Sequence, residues 1–235
     1  MKNVVNTAKV SKKEMNELGW TREMKLDYYC NLNNIVTMAT GNAKLGSQIC
    51  GLSMPPVTTC RKDAPCAKGC YACKGHQQYA SVLGTYLKNL RIYNENPTVF
   101  FEQVENYLKY SGYRYMRFFD SGDIPDANFF VGMIKLAKHL PNVRFMAFTK
   151  KHEIINNYVA NGGAIPTNLT IIFSAWNKSW KFDNPYNFPV AYVDFKNSNL
   201  NPEFPADVKE CDGHCSTCYK CWHLQEGESV VFHQH

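Results

Sequence analysis

At 235 residues, with 45% hydrophobic and 14% aromatic residues, the chain has the material for one large domain, or a domain with a small appendage, whose core needs no covalent staples. No apolar run reaches bilayer-crossing length, which excludes a membrane-spanning helix, and the opening MKNVVNTAKVSKKEMNELGW lacks a secretory h-region, so a cytoplasmic, reducing setting is expected. The formal charge of +6 counts every cysteine as neutral, and Lys and Arg are scattered with no block of five or more, so nucleic acid is only weakly indicated as a partner.

Residues 1–32 read as an N-terminal helical segment, with Ser11 and Glu14 in a capping-box pattern. Residues 33–54 mix short apolar runs (IVTMAT, QICGLSMP) with Gly and Asn, which predicts one or two strands ended by Pro55-Pro56. Tyr79, Val82, Leu83, Tyr86, Leu87, Leu90 and Tyr93 recur at helical steps, in a helix starting near His76. Asn96-Pro97 reads as the cap and first residue of another helix, carrying Val99, Val104, Tyr107 and Leu108 inward. From Tyr113 onwards the pattern alternates. RYMRFF, VRFMAF, LTIIFSAW and VAYVDF are strands, and residues 126–139 and 152–161 are helices, the latter ended by Gly162-Gly163. Strands alternating with amphipathic helices imply βαβ units and a parallel sheet with right-handed crossovers.

Eight of the ten cysteines lie in two short runs: Cys60, Cys66, Cys70 and Cys73, then Cys211, Cys215, Cys218 and Cys221. In a reducing setting such runs favour metal ligation over disulfides. Cys66-x3-Cys70-x2-Cys73 lets a loop wrap one face of a 4Fe–4S cluster, each sulfur reaching a different iron. Three ligands leave one iron open to a substrate or cofactor. If Cys60 fills the fourth site, the cluster is closed and serves electron transfer or the fold. Zinc is the alternative metal, although this spacing suits it less than two separated C-x2-C knuckles. The second run resembles bacterial ferredoxin loops and points to a closed cluster, with a zinc knuckle as the alternative and His214 and His223 flanking it. Whether the runs bind two clusters or share one stays open. Cys30 and Cys50 stand singly in apolar contexts and read as buried structural thiols.

On these residues the chain resembles the radical SAM superfamily, whose Cys-x3-Cys-x2-Cys signature follows the first strand of a partial (β/α) barrel. The aromatic residue usual just before the third cysteine falls here at Tyr71, leaving Ala72 beside Cys73. In that superfamily the next strand often ends in Gly-Gly-Glu, which holds the amino group of S-adenosylmethionine. Ser121-Gly122-Asp123 occupies that place here. The resemblance implies an enzyme whose open iron binds S-adenosylmethionine and cleaves it to a 5′-deoxyadenosyl radical, acting on a small-molecule or macromolecular substrate that the residues do not name. Read on their own, Asp120 and Asp123 equally suit capping of the next helix.

Over most of residues 40–222 the chain is also similar to the bacteriophage "gene product 88" family. The shared text is a Gly-rich strand, Ser-Met-Pro-Pro, Thr59-Cys60, Cys66-x3-Cys70-Tyr71-Ala72, an Asp-Ser-Gly-Asp strand end, Phe148-Thr149-Lys150 and a late Cys-x2-Cys-Trp. That likeness implies that Cys60 is a ligand while Cys73 need not be, and it places the protein in the host cell cytoplasm.

The expected architecture is α/β, a partial (β/α) barrel of about five to six mainly parallel strands. It divides into the helical segment 1–32, a core over 33–200 carrying the Cys-rich loop, and a Cys-rich C-terminal tail over 201–235. Lys150, Lys151, Trp176, Asn177 and Asp194 follow strands where α/β sites form, and Arg114 and Arg117 approach the cluster or substrate charge. The expected function is a radical-SAM-like iron–sulfur enzyme. The alternative is a non-catalytic iron–sulfur or zinc protein that binds a nucleic acid or protein partner.

Overall fold

The computed structural model describes residues 9–233 except 178, 198, 200 and 207, so part of the expected N-terminal helical segment, residues 1–8, lies outside the described residues. Two short helices come first, α1 (Lys12–Glu17) and α2 (Arg22–Asn31). The capping box is formed: Glu14 N donates to Ser11 Oγ at 3.2 Å and Ser11 N to Glu14 Oε2 at 2.7 Å.

The strands are β1 (Ile49–Leu52), β2 (Tyr115–Phe118), β3 (Arg144–Thr149), β4 (Leu169–Ser174), β5 (Val190–Asp194), β6 (Lys209–Glu210) and β7 (Ser229–His233). They make one open sheet in the order β1-β2-β3-β4-β5-β7-β6, with every neighbouring pair parallel. The first five strands follow chain order, as in a partial barrel. The expected parallel α/β core is therefore present, and the cysteine-rich tail adds its last two strands. The region before β1 forms no strand of its own; its contribution is one antiparallel bridge, Ala39 with Gly51.

Helices α3 (Ala80–Glu95) and α4 (Pro97–Ser111) connect β1 to β2, α5 (Ala127–His139) connects β2 to β3, and α6 (His152–Ala160) connects β3 to β4. The start of α3 differs from expectation. Three short 3-10 turns run as far as Gln78, because the cysteine loop holds that stretch, and the α-helix begins at Ala80. Asn96 caps α4 as its sequence predicts, accepting from Val99 N at 3.1 Å. Val99 itself is exposed, since the first turn of α4 projects past the sheet, whereas Val104 and Leu108 are buried. Neither Asp120 nor Asp123 caps α5. That role falls to Asp126, which accepts from Phe129 N at 2.8 Å. No helix among the described residues is long and apolar enough to cross a membrane.

A parallel sheet buries both faces. On one face Cys50, Leu52, Met116, Phe118, Phe145, Ala147, Ile171 and Phe173 pack under the four crossover helices through residues such as Tyr93, Phe100, Val104, Phe129 and Ile155. The alternating residues Ile49, Met146, Ile172, Ala191 and Val230 point the other way. They are covered by Leu45 and by residues 211–224, with Trp222 and Leu224 buried among them. The indole of Trp222 is 2% exposed and its Nε1–H donates to Met116 O at 2.9 Å, so a polar handle fixes the largest side chain of this layer to β2.

Trp222→Ala removes that anchor. The expected loss is about 3–5 kcal/mol of stability, the range for a large aromatic deleted from a core. Urea denaturation followed by near-ultraviolet circular dichroism measures it.

Candidate metal–sulfur centres

The first cysteine run leaves the C-terminal end of β1. Cys66 lies in a 3-10 turn over Pro65–Gly69, and Cys73 ends another over Tyr71–Cys73. In 3-10 geometry residues three apart eclipse one another, so Cys70 and Cys73 fall on one side, and Cys73 N donates to Cys70 O at 3.1 Å. The two thiols are in hydrogen-bond contact, and Cys66 also acts on Cys73. Cys60 is pushed up to about 11, by burial first and then by the charges of Asp123, Cys66 and Cys70. The thiols of the run thus act on one another electrostatically, with Cys73 exposed and the other three half-buried.

The end of β2 is stitched beneath this loop. Phe119 is held at φ 64°, a costly conformation for a residue that is not glycine, and Gly122 at φ 79°. A Cβ on Gly122 would lie 2.7 Å from both Met54 O and Thr59 Oγ1, so the close approach of the two loops requires glycine there. Asp123 is buried. Its Oδ1 accepts from Thr149 Oγ1 and from Ile124 N, both at 2.7 Å, and its Oδ2 accepts from Lys150 N at 2.9 Å. Asp123 N donates to Thr59 Oγ1 at 3.1 Å, and that hydroxyl donates to Pro55 O at 2.9 Å. Ser121 is buried, with its Oγ unpartnered. The segment Ser121-Gly122-Asp123 therefore sits beside the first thiol group. Its carboxylate ties the turn after β2 to the end of β3, and its amide reaches the loop after β1.

The second run winds through α7 (Cys215–Cys218) and a 3-10 turn over Lys220–Trp222, with Tyr219 between them in the left-handed region at φ 49°. Cys211 N donates to Val231 O at 2.9 Å and Cys215 N to Lys44 O at 3.0 Å, fixing the first half of the run against β7 and the segment before β1. Burial raises Cys221 to about 12, with the charges of Cys211, Cys215 and Cys218 adding to it. Cys215 is raised as well, by burial first, against the opposing effect of Lys44 and Arg117. These four thiols form a second group on the tail-covered face. None of the ten cysteines is in a disulfide.

Arg117 lies between the groups. Its Nε is 3.0 Å from Asp120 Oδ1, and its guanidinium stands 5.4 Å over the Phe148 ring. Burial works against its charge, but Asp120, Tyr71, Cys215 and Cys221 hold it protonated. The Tyr71 ring is 58% exposed while its hydroxyl is tucked down onto the backbone carbonyl of Asp120, to which it donates.

Other expected residues divide. Lys150 Nζ stands 5.3 Å over the Trp176 ring, so these two do meet. Lys151 turns away to donate to Pro125 O at 2.8 Å, and Asn177 accepts from Ser179 N at 3.1 Å within its own turn. Asp194 accepts from Asn201 Nδ2 at 2.6 Å and faces His233 Nδ1 at 3.1 Å. Arg114 is exposed at the opposite end of β2 from the first cysteine loop. Cys50 is buried as expected, whereas Cys30 is only half-buried.

His152 had no signal in the sequence. It is 2% exposed, stacked among Phe173, Phe182 and Trp180, with neither ring nitrogen hydrogen-bonded. Its pKa falls to about 4, through burial first and then the charges of Lys150 and Arg61. Only the aromatic density of FDNPYNF downstream hinted at an apolar lid there.

The donor chemistry of both groups is all sulfur, four thiols each, which fits an iron–sulfur cluster or zinc. Among the described residues no three His, Cys, Asp or Glu side chains converge as the ligands of one metal ion do. A family model described as gene product 88 matches residues 31–226, a span that holds both thiol groups. No curated protein and no solved structure matches the chain.

Two outcomes test this geometry. Gly122→Ala forces a side chain into the left-handed region against two oxygens and is expected to cost at least about 1–2 kcal/mol by chemical denaturation. His152 is neutral in the fold but protonated in the unfolded chain between pH 6.5 and about 4, so the unfolded state binds more protons in that window. Stability is full above pH 6.5 and drops by on the order of 3 kcal/mol as pH falls to about 4. His152→Phe should flatten that part of the stability–pH curve.

Proposed function

The chain belongs to the gene product 88 family, and we propose that it is an iron–sulfur protein with two 4Fe–4S centres. Cys60, Cys66, Cys70 and Cys73 hold the first, and Cys211, Cys215, Cys218 and Cys221 hold the second. The observation that carries this reading is the crowding of eight cysteines into two runs, one in the loop after β1 and the other in the layer on the tail-covered face of the sheet. The C-x5-C-x3-C-x2-C spacing of the first run suits a cluster better than a single zinc ion. Metal binding deprotonates thiols that burial otherwise keeps neutral. The setting is the host cytoplasm, where thiols stay reduced.

With Cys60 among its ligands the first centre is closed. S-adenosylmethionine chemistry needs an open iron and a carboxylate free to take an amino group, and the Asp123 carboxylate already accepts from three donors. Electron transfer therefore suits the first centre better than cofactor cleavage. It lies at the sheet rim, where Tyr71 and Cys73 are exposed to a redox partner. The second centre lies in the layer that covers the sheet and holds that layer in place.

Anaerobically purified protein should be brown and carry about eight irons and eight sulfides per chain. Cys70→Ala and Cys221→Ala should each lose about half of both. Colourless protein carrying zinc would overturn the iron–sulfur reading. Release of 5′-deoxyadenosine from S-adenosylmethionine by the dithionite-reduced protein would instead make the first centre a radical-generating site.

A further inference from the structure

We infer that Arg117 is the charge-compensating residue of the second sulfur centre and, through Asp120 and Tyr71, the physical link between that centre and the first. This rests on the two-centre reading above.

The placement follows from strand alternation. On β2 Met116 and Phe118 face the helices, so Tyr115 and Arg117 face the tail layer. Tyr115 is packed there against Tyr219 and Trp222. Arg117 pairs in register with Gly51 on β1 and Met146 on β3. Gly51 leaves a gap on this face, and a Cβ there would come within 3.2 Å of Asp120 Oδ2. The gap is filled by the Asp120 carboxylate as it folds back over the strand towards Arg117.

A long cation with a side chain 16% exposed demands full compensation. Among the described residues Asp120 is its one carboxylate partner, in an imperfect geometry. Nε is within 3.0 Å of Asp120 Oδ1, yet the pair is misaligned, and neither atom makes a hydrogen bond. The Phe148 ring supplies only a weak cation–π contact. Cys215 and Cys221 belong to the same packed layer as the Phe148 ring over which Arg117 stands, and as thiolates they act on its charge. Lys44 faces Cys215 from the segment before β1. A cluster held by four thiolates is a compact anion at this place, and it completes the environment of the guanidinium.

The first centre is tied to the same arginine. The Tyr71 hydroxyl donates to the carbonyl of Asp120, whose carboxylate faces Arg117, and Tyr71 directly follows Cys70 in the chain. Electron uptake by the second centre, from an external one-electron donor that is itself oxidised, adds one negative charge beside Arg117. The buried cation offsets that charge and so favours the reduced state. Asp120, on the other side, opposes it.

The test is a potentiometric titration of the anaerobic full-length protein, with dithionite as electron donor and electron paramagnetic resonance as readout. The signal of the second centre is the one that survives in Cys70→Ala. Arg117→Gln is expected to lower its equilibrium constant for electron uptake at least tenfold, about 59 mV for one electron. Arg117→Lys, which keeps the charge, should stay near the wild-type midpoint, and Asp120→Asn should raise it. An Arg117→Gln protein with its full iron and an unchanged midpoint overturns the inference. If that variant does not fold, Asp120→Asn decides, and an unchanged or lowered midpoint overturns it equally. Wild-type protein without iron would sink the two-centre reading itself, and this is seen before any variant is made.

Discussion

Both faces of a parallel sheet must be kept from water, and here the four crossover helices all go to the same face. The cysteine-rich tail is set by how the other face is covered. Among the described residues no crossover helix reaches it. Residues 211–224 and Leu45 lie on it instead, with Trp222 and Leu224 as the main apolar contribution. Two such side chains make a thin layer, and little regular structure holds it: α7 spans only Cys215–Cys218. Cys211, Cys215 and Cys221 pack in this layer, so the proposed cluster would act there as a staple where the apolar contacts are few.

The rim is organised on a different principle. There the work is done by hydrogen bonds and backbone strain rather than by apolar area. Asp123 collects donors from its own turn and from the end of β3, and its amide reaches Thr59 in the cysteine loop. Phe119 and Gly122 accept left-handed conformations so that this can happen. Strain of this kind persists only where surrounding contacts over-determine it. Its presence within a few residues of the first thiol group marks the rim as the place where geometry matters more than packing.

Much of this was legible from the residues. Asn96-Pro97 announced α4 because a capping side chain and a pre-set φ are local properties. The strands β2 to β5 were visible because two-sided burial writes continuous apolar runs. The cysteines declared themselves by crowding. What stayed hidden depended on distant partners. β7, SVVFH, is short and half polar, and it becomes a strand only because β5 and β6 flank it. Lys209-Glu210 has no strand signal at all. Arg117 looked like any basic residue in a strand, since the register that sets it beside Gly51 and below Cys215 is a tertiary fact. Asp123 offered capping or ligand binding with equal force, and Asp126 took the cap because the turn at Gly122 carries the chain past α5 before it starts.

The strand order β5-β7-β6 also fixes a sequence of events. β6 has β7 as its neighbour in the sheet, so its tie to the rest of the sheet runs through β7, which pairs with β5 across a long stretch of chain. Closing that distance is entropically costly and therefore late. Until it happens, the loop bearing Cys211 to Cys221 hangs open at the edge of a nearly finished domain. If the tail holds the proposed cluster, that interval is when iron and sulfide would enter, before the last two ladders shut the door behind them.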